Sequence, residues 1–118
     1  MIHLQGLLPA APGPIAEAFV VHDGLVLEDV IYRLSGNGGT AGQTKLDLLL
    51  DSATLYPSAA QDDHRPAWPF DTAAQLVQGR IHELTELHPG QLLQLVSIEH
   101  PTGGTPARAE AYLLCRRP

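Results

Sequence analysis

Two stretches of alternating side chains constrain this chain more than any other feature. Between 25 and 34, Val26, Val30, Tyr32 and Leu34 fall on one parity, with Asp29 and Arg33 on the other. Between 45 and 51, Leu46, Leu48 and Leu50 share one face, with Lys45, Asp47 and Asp51 opposite. Successive side chains of a strand point to opposite faces, so each run predicts a strand with one side on a core. The residues between them, Ser35-Gly36-Asn37-Gly38-Gly39-Thr40-Ala41-Gly42, can only be a loop. Run, loop and run together predict a β-hairpin with a long tip.

The remainder continues in short pieces. Residues 18–22 are β-prone and precede an Asp23-Gly24 turn. Residues 92–98 predict a strand, 101–106 a turn, and 109–116 a last strand. In that strand Ala109, Ala111, Leu113 and Cys115 oppose Glu110, Tyr112, Leu114 and Arg116. Residues 57–70, with Pro57, Pro66 and Pro69, read as a long irregular connection. Residues 72–88 stay open: Val77, Ile81 and Leu84 suit helical spacing between a Thr72 cap and Pro89-Gly90, while Gly79 opposes a helix. Pro9, Pro12 and Pro14 make 5–16 an extended segment, so the expected organisation is an N-terminal arm over 1–16 and a folded unit over 17–118. The 118 residues suit a single domain, and 11 Gly with 10 Pro supply many turns. The expected class is all-β: one antiparallel β-sandwich, jelly-roll-like, with a Pro-rich arm.

Most chemistries find no footing. A net charge of -6, with only seven Lys and Arg, argues against nucleic acid. No apolar run approaches the roughly 20 residues needed to cross a bilayer, and the first residues lack the basic start of a signal peptide. Gly36-x-Gly38-x-x-Ala41 matches a loose dinucleotide pattern in letters, but it runs into a strand where that chemistry requires a helix N-terminus. His82 and His88 are six apart and meet on no single face, and Asp62-Asp63-His64 reads as a solvated loop, so no metal or other cofactor is expected. Cys115, the single cysteine, shares the parity of Ala111 and Leu113 and reads as a buried small side chain. No serine sits in a nucleophile elbow, and Glu83 with Glu86 would need a cleft that so small a sandwich rarely provides. No catalytic residue is assigned, and the chain reads as a non-enzyme.

In order, the segments resemble the small β-sandwich modules of virion proteins in tailed bacteriophages: tail-fibre, head-fibre and capsid-decorating proteins. The resemblance rests on a Gly/Thr-rich turn, Gly39-Thr40-Ala41-Gly42-Gln43-Thr44, joined to a Leu46-Asp47-Leu48 strand, then Arg65-Pro66, then Gly90 before an aliphatic strand. Where such modules usually turn on Asn-Gly-Thr, this chain has Asp51-Ser52-Ala53-Thr54. The resemblance implies strand over 72–88 and a non-enzymatic structural component of a virion, most simply a capsid decoration or head-fibre protein assembled in the bacterial cytoplasm. It also implies a homotrimer docked on the major capsid protein or other virion proteins. The alternative is a tail-fibre or carbohydrate-binding module in which Trp68, Phe70, Tyr32 and Tyr56 offer stacking faces to a glycan. An exposed Trp68 would favour that alternative, and a buried one the structural role.

Overall fold

The computed structural model describes residues 1–9, 11–36, 38–57, 64–71, 84–104 and 107–118, and the backbone of 73–79. The strands are β1 (Ile2–Leu7), β2 (Gly13–Pro14), β3 (Phe19–Val20), β4 (Leu25–Gly36), β5 (Gln43–Leu50), β6 (Ala53–Thr54), β7 (Ala67–Pro69), β8 (Ala73–Gly79), β9 (Thr85–Leu87), β10 (Leu92–Glu99) and β11 (Arg108–Arg116). They form two antiparallel sheets. One runs β1-β11-β4-β8 with β9 also on β4; the other runs β2-β10-β5-β6 with β3 on β10 and β7 on β5.

The short strands are pieces of longer lanes. β8 and β9 share one edge of β4, β2 and β3 one edge of β10, and β6 and β7 one edge of β5. Counted as lanes in chain order, the layers read 1-8-3-6 and 2-7-4-5. That interleaved order is the jelly roll, so the fold is an antiparallel β-sandwich of that type.

Parity predicts the core well. Val30, Tyr32 and Leu34 of β4, Leu46 and Leu48 of β5, Leu93 and Leu95 of β10, and Ala109, Ala111 and Leu113 of β11 are all fully buried. Leu27 is buried off that parity because the β4–β11 ladder slips between Leu114 and Cys115, a bulge that turns β4 by one residue. Over 72–88 the described backbone forms two strands, β8 and β9, joined to coil at Leu84 and His88, where Gly79 weighed against a helix; Thr72 and 80–83 lie outside the described residues.

Two expectations fail. The segment 1–16 is no arm: β1 pairs with β11 over its whole length, from Ile2 opposite Leu113 to Leu7 opposite Arg108. Ile2 and Leu4 point into the core, and after them the chain crosses layers and is held by the Leu8 and Ile15 amides donating to Ala107 and Leu95 carbonyls. A Cβ on Gly6 would collide with the Ile15 carbonyl, so β1 and this crossing touch closely. The prolines govern only the crossing, and Pro14 is tolerated because β2 is an edge strand.

The expected hairpin around 35–42 also fails, since β4 and β5 lie in different sheets. The glycine loop is a crossover fastened on both sides. Thr40 N donates to Thr102 O and Thr102 N to Ala41 O (both 2.9 Å), while Phe70 N donates to Gly42 O (3.0 Å). Gly42 has a φ of 87°, which a β-branched residue strongly resists. Gly42→Val is expected to lower stability by more than about 1 kcal/mol in chemical denaturation; an unchanged midpoint would refute the strain.

The actual hairpin is the two-residue turn Asp51-Ser52 between β5 and β6, with φ of 49° and 68°. Two left-handed residues define the turn that Asn-Gly usually supplies, which accounts for the substitution in this chain. Asp51 is also used: its carboxylate accepts the Leu92 amide at 2.9 Å. Ser52 has no such bond among the described residues, so Ser52→Gly is expected to raise stability by about 1 kcal/mol, read as a higher melting temperature.

Candidate functional site

Of the four aromatic residues that the carbohydrate-binding alternative would place at a surface, three lie inside. Trp68, Tyr32 and Tyr56 are essentially inaccessible, whereas Phe70 is 43% exposed. The stacking surface read from the sequence is therefore corrected to Phe70 alone, and Trp68 takes its buried, structural role. Alternation alone would put both on one side; the split arises because β7 ends at Pro69, so that Trp68 faces inward while Phe70 stands past the strand end beside the left-handed Asp71.

The tyrosines join the layers. Tyr32 of β4 and Tyr56, after β6, meet hydroxyl to hydroxyl at 2.7 Å. Around them runs a polar clamp. Arg65 donates through Nη2 to the Tyr56 carbonyl (2.7 Å) and Thr54 Oγ1 (3.1 Å), and its Nε lies 3.3 Å from Asp47 Oδ1. Asp47 Oδ1 also accepts the Thr54 hydroxyl (2.7 Å) and the Leu48 amide (2.9 Å). The Asp47 and Arg65 singled out by the phage-module resemblance thus meet each other. Asp47 sits on the polar parity of β5, yet is buried under Arg65.

Burial pushes the Tyr56 phenol up to about 12 and holds that of Tyr32 well above the usual tyrosine range. In the unfolded chain both ionise near 10, so above that pH the unfolded state sheds protons that the folded state keeps. Their contribution is complete below pH 10 and is lost as pH rises through the folded values. The melting temperature is expected to fall between pH 10 and about 12, and less steeply in Tyr56→Phe. An equally steep fall in the variant would locate the alkaline sensitivity elsewhere.

Other reactive groups are dispersed. Cys115 is half-buried, its thiol pushed up by burial, and contacts the Leu113 carbonyl. His3 stacks on Tyr112 at 4.4 Å and lies 3.3 Å from Glu110; His88 lies beside Glu86. His82, Glu83, Asp62 and Asp63 fall outside the described residues. Among the described residues no group of three or more His, Cys, Asp or Glu is placed to hold a metal ion. Among the described residues no helix is long and apolar enough to cross a membrane.

The two outer faces differ in character. On the β1-β11-β4-β8 sheet many of the described outward side chains pair with one another, Glu110 with His3 and Arg33, Arg108 with Gln5, Arg116 with Glu28, beside the exposed Leu7 and Leu114. On the β2-β10-β5-β6 sheet the outward side of β10 is mainly apolar. Leu92 and Ile98 are exposed and Val96 half-buried, with Val20 opposite Leu92 and Pro14 opposite Val96. Sequence reading took 92–98 as a strand without assigning its two faces, so this stripe went unseen. The alternating Ser97, Leu95 and Leu93 on the other side was the available signal.

At one end of the sandwich, crossing segments border two open, neighbouring clefts that share Pro12 and His100. One lies between 8–12 and 100–104; the other, about 590 Å³, is lined by Gln43, Pro69, Ile98 and Glu99 with those two residues and Gly42. Gln43 Nε2 donates to Glu99 Oε2 at 2.6 Å across it.

No family model matches the chain, and no curated protein matches it. Among solved structures the chain is similar to the GH26-CBM35 β-(1,4)-mannanase of Podospora anserina, at a TM-score of 0.41 and 12% identity over 98% of this chain; it spans 20% of that enzyme's length.

Proposed function

We propose that the chain is a non-enzymatic structural component of a tailed-bacteriophage particle, a capsid decoration or head-fibre protein that assembles as a homotrimer in the bacterial cytoplasm. The observation that carries this reading is the contrast between the faces. Among the described residues, one outer sheet face carries several ion pairs beside the exposed Leu7 and Leu114, while β10 of the other presents Leu92, Val96 and Ile98, interrupted by Gln94, next to Val20 and the Asp47–Arg65 pair. A stiff two-layer scaffold with one apolar side is built to be covered by another protein surface. The polar groups of greatest chemical potential, Asp47, Arg65, Tyr32 and Tyr56, are engaged inside the fold. The jelly roll itself is shared by viral capsid domains and lectins, so it is compatible with the assignment without deciding it.

Two measurements test the reading. Peptides of this chain should appear in mass spectra of density-purified particles; their restriction to the soluble lysate would overturn the virion assignment. Light scattering should give three times the 12.7 kDa chain mass. Leu92→Lys combined with Ile98→Lys should give a monomer with an unchanged melting temperature. A wild-type monomer at high concentration would remove the trimer.

A further inference from the structure

We propose that β1 is exchanged between copies of this chain, each copy laying its Ile2–Leu7 strand on the β11 of the next. The exchange rests on the homotrimer reading and adds to it how the copies interlock.

The return between β1 and β2 is the first ground. A Cβ on Gly6 would collide with the Ile15 carbonyl, so the chain reverses within residues 7–14 to bring those two backbones together. That short return holds Pro9, Pro12 and Pro14. Each ring fixes its own φ near about −65° and pushes the residue before it, Leu8, Ala11 or Gly13, toward an extended conformation. A segment with that preference resists folding back and favours running straight on. Short hinges under such strain are the ones that invite exchange of the element they carry.

The second ground is how separately β1 is held. Its ladder runs against β11 alone, from Ile2 opposite Leu113 to Leu7 opposite Arg108, and its other edge pairs with no strand among the described residues. Its outward polar contacts go to the same strand: His3 Nε2 lies 3.3 Å from Glu110 Oε1, and Arg108 Nη2 donates to Gln5 Oε1 at 3.0 Å. Leu8 travels with it, since its amide donates to the carbonyl of Ala107, the residue before β11. β1 thus leaves and arrives as one unit, and the β11 of a second copy offers it an identical seat. Ile2 and Leu4 complete a core in either arrangement.

Beyond Leu8 the hinge is lightly packed. Pro9, Ala11 and Pro12 border an open cleft of about 510 Å³ against 100–104, so redirecting the chain there disturbs few contacts. Exchange keeps the same β1–β11 pairing for every copy. Relief of the hinge favours it, and the lost freedom of separate chains opposes it. The apolar stripe of β10 tips that balance, so Leu92→Lys with Ile98→Lys returns β1 to its own chain.

The test places one cysteine on each strand, Gln5→Cys with Glu110→Cys, at positions opposite each other in the ladder and in a Cys115→Ser background. The assembled protein is bridged with a short bismaleimide and run on a denaturing gel. The bridge is expected to join chains, giving a covalent species of three times the 12.7 kDa chain mass. A second pair, His3→Cys with Tyr112→Cys, should do the same. Bridges confined to single chains, in a protein that scatters light as a trimer, would overturn the exchange and leave the trimer standing. Bridges that join chains only in pairs would keep the exchange and overturn the trimer. A wild-type monomer would overturn both.

Discussion

Leu48→Asp is expected to leave no folded protein. Leu48 is fully buried in the middle of β5, in one cluster with Leu34, Leu46, Trp68, Leu95 and Leu113. An aspartate there removes one of the central apolar contacts and places a carboxylate where no cation waits. Losing the side chain alone costs about 2–5 kcal/mol, and burying the charge or its protonated form adds several more. Against a typical domain stability of about 5–15 kcal/mol, that sum is enough to unfold the chain. Circular dichroism should show loss of the β signal, with the protein moving to the insoluble fraction. Leu92→Asp is the control: the same chemistry on the outward side of neighbouring β10 should remain folded. A soluble, cooperatively melting Leu48→Asp protein would mean that the inward face of β5 is misassigned.

That face was readable because burial on one side of a strand imposes a period of two on the sequence, as in Leu46-Asp47-Leu48. The layers were not readable, because alternation says which side of a strand is inside but not which strand lies beside it. Residues 35–42 separate two good strands, and proximity in sequence suggested that they pair. In the jelly roll they belong to opposite sheets, and the glycines serve a tight crossing between them. Locality misled at the N-terminus as well. Three prolines between 9 and 14 suggested an arm, while Ile2 and Leu4 carried a short alternation that pairs with the far end of the chain.

The surface was harder still. Aromatic residues are both the best stacking platforms and the best core fillers, so composition alone cannot separate Trp68 from Phe70. Their separation depends on β7 ending at Pro69 and on the left-handed Asp71. The cleft is assembled from segments near 12, 43, 69 and 99, and no local motif spans such distances.

The Asp47–Arg65 clamp yields the second large effect, and it bears on function. Both side chains are mostly shielded, so removing one partner strands the other charge; such losses are about 3–5 kcal/mol for a buried pair. Arg65→Ala additionally leaves the Tyr56 carbonyl without its short donor, and Asp47→Ala leaves Thr54 and the Leu48 amide without their acceptor. Each single variant should therefore be destabilised by about 3 kcal/mol in guanidinium denaturation. The double variant should be less destabilised than the sum of the two by about 1–3 kcal/mol, because no lone charge remains. Strict additivity would show that the pair does not couple. The same variants discriminate scaffold from interface, since these residues carry the phage-module resemblance. If they form a fold clamp, residual particle association should track the folded fraction in each variant. If they were instead a docking motif, both singles would melt like wild type and fail to bind, and the resemblance would describe a contact surface in place of a structural joint.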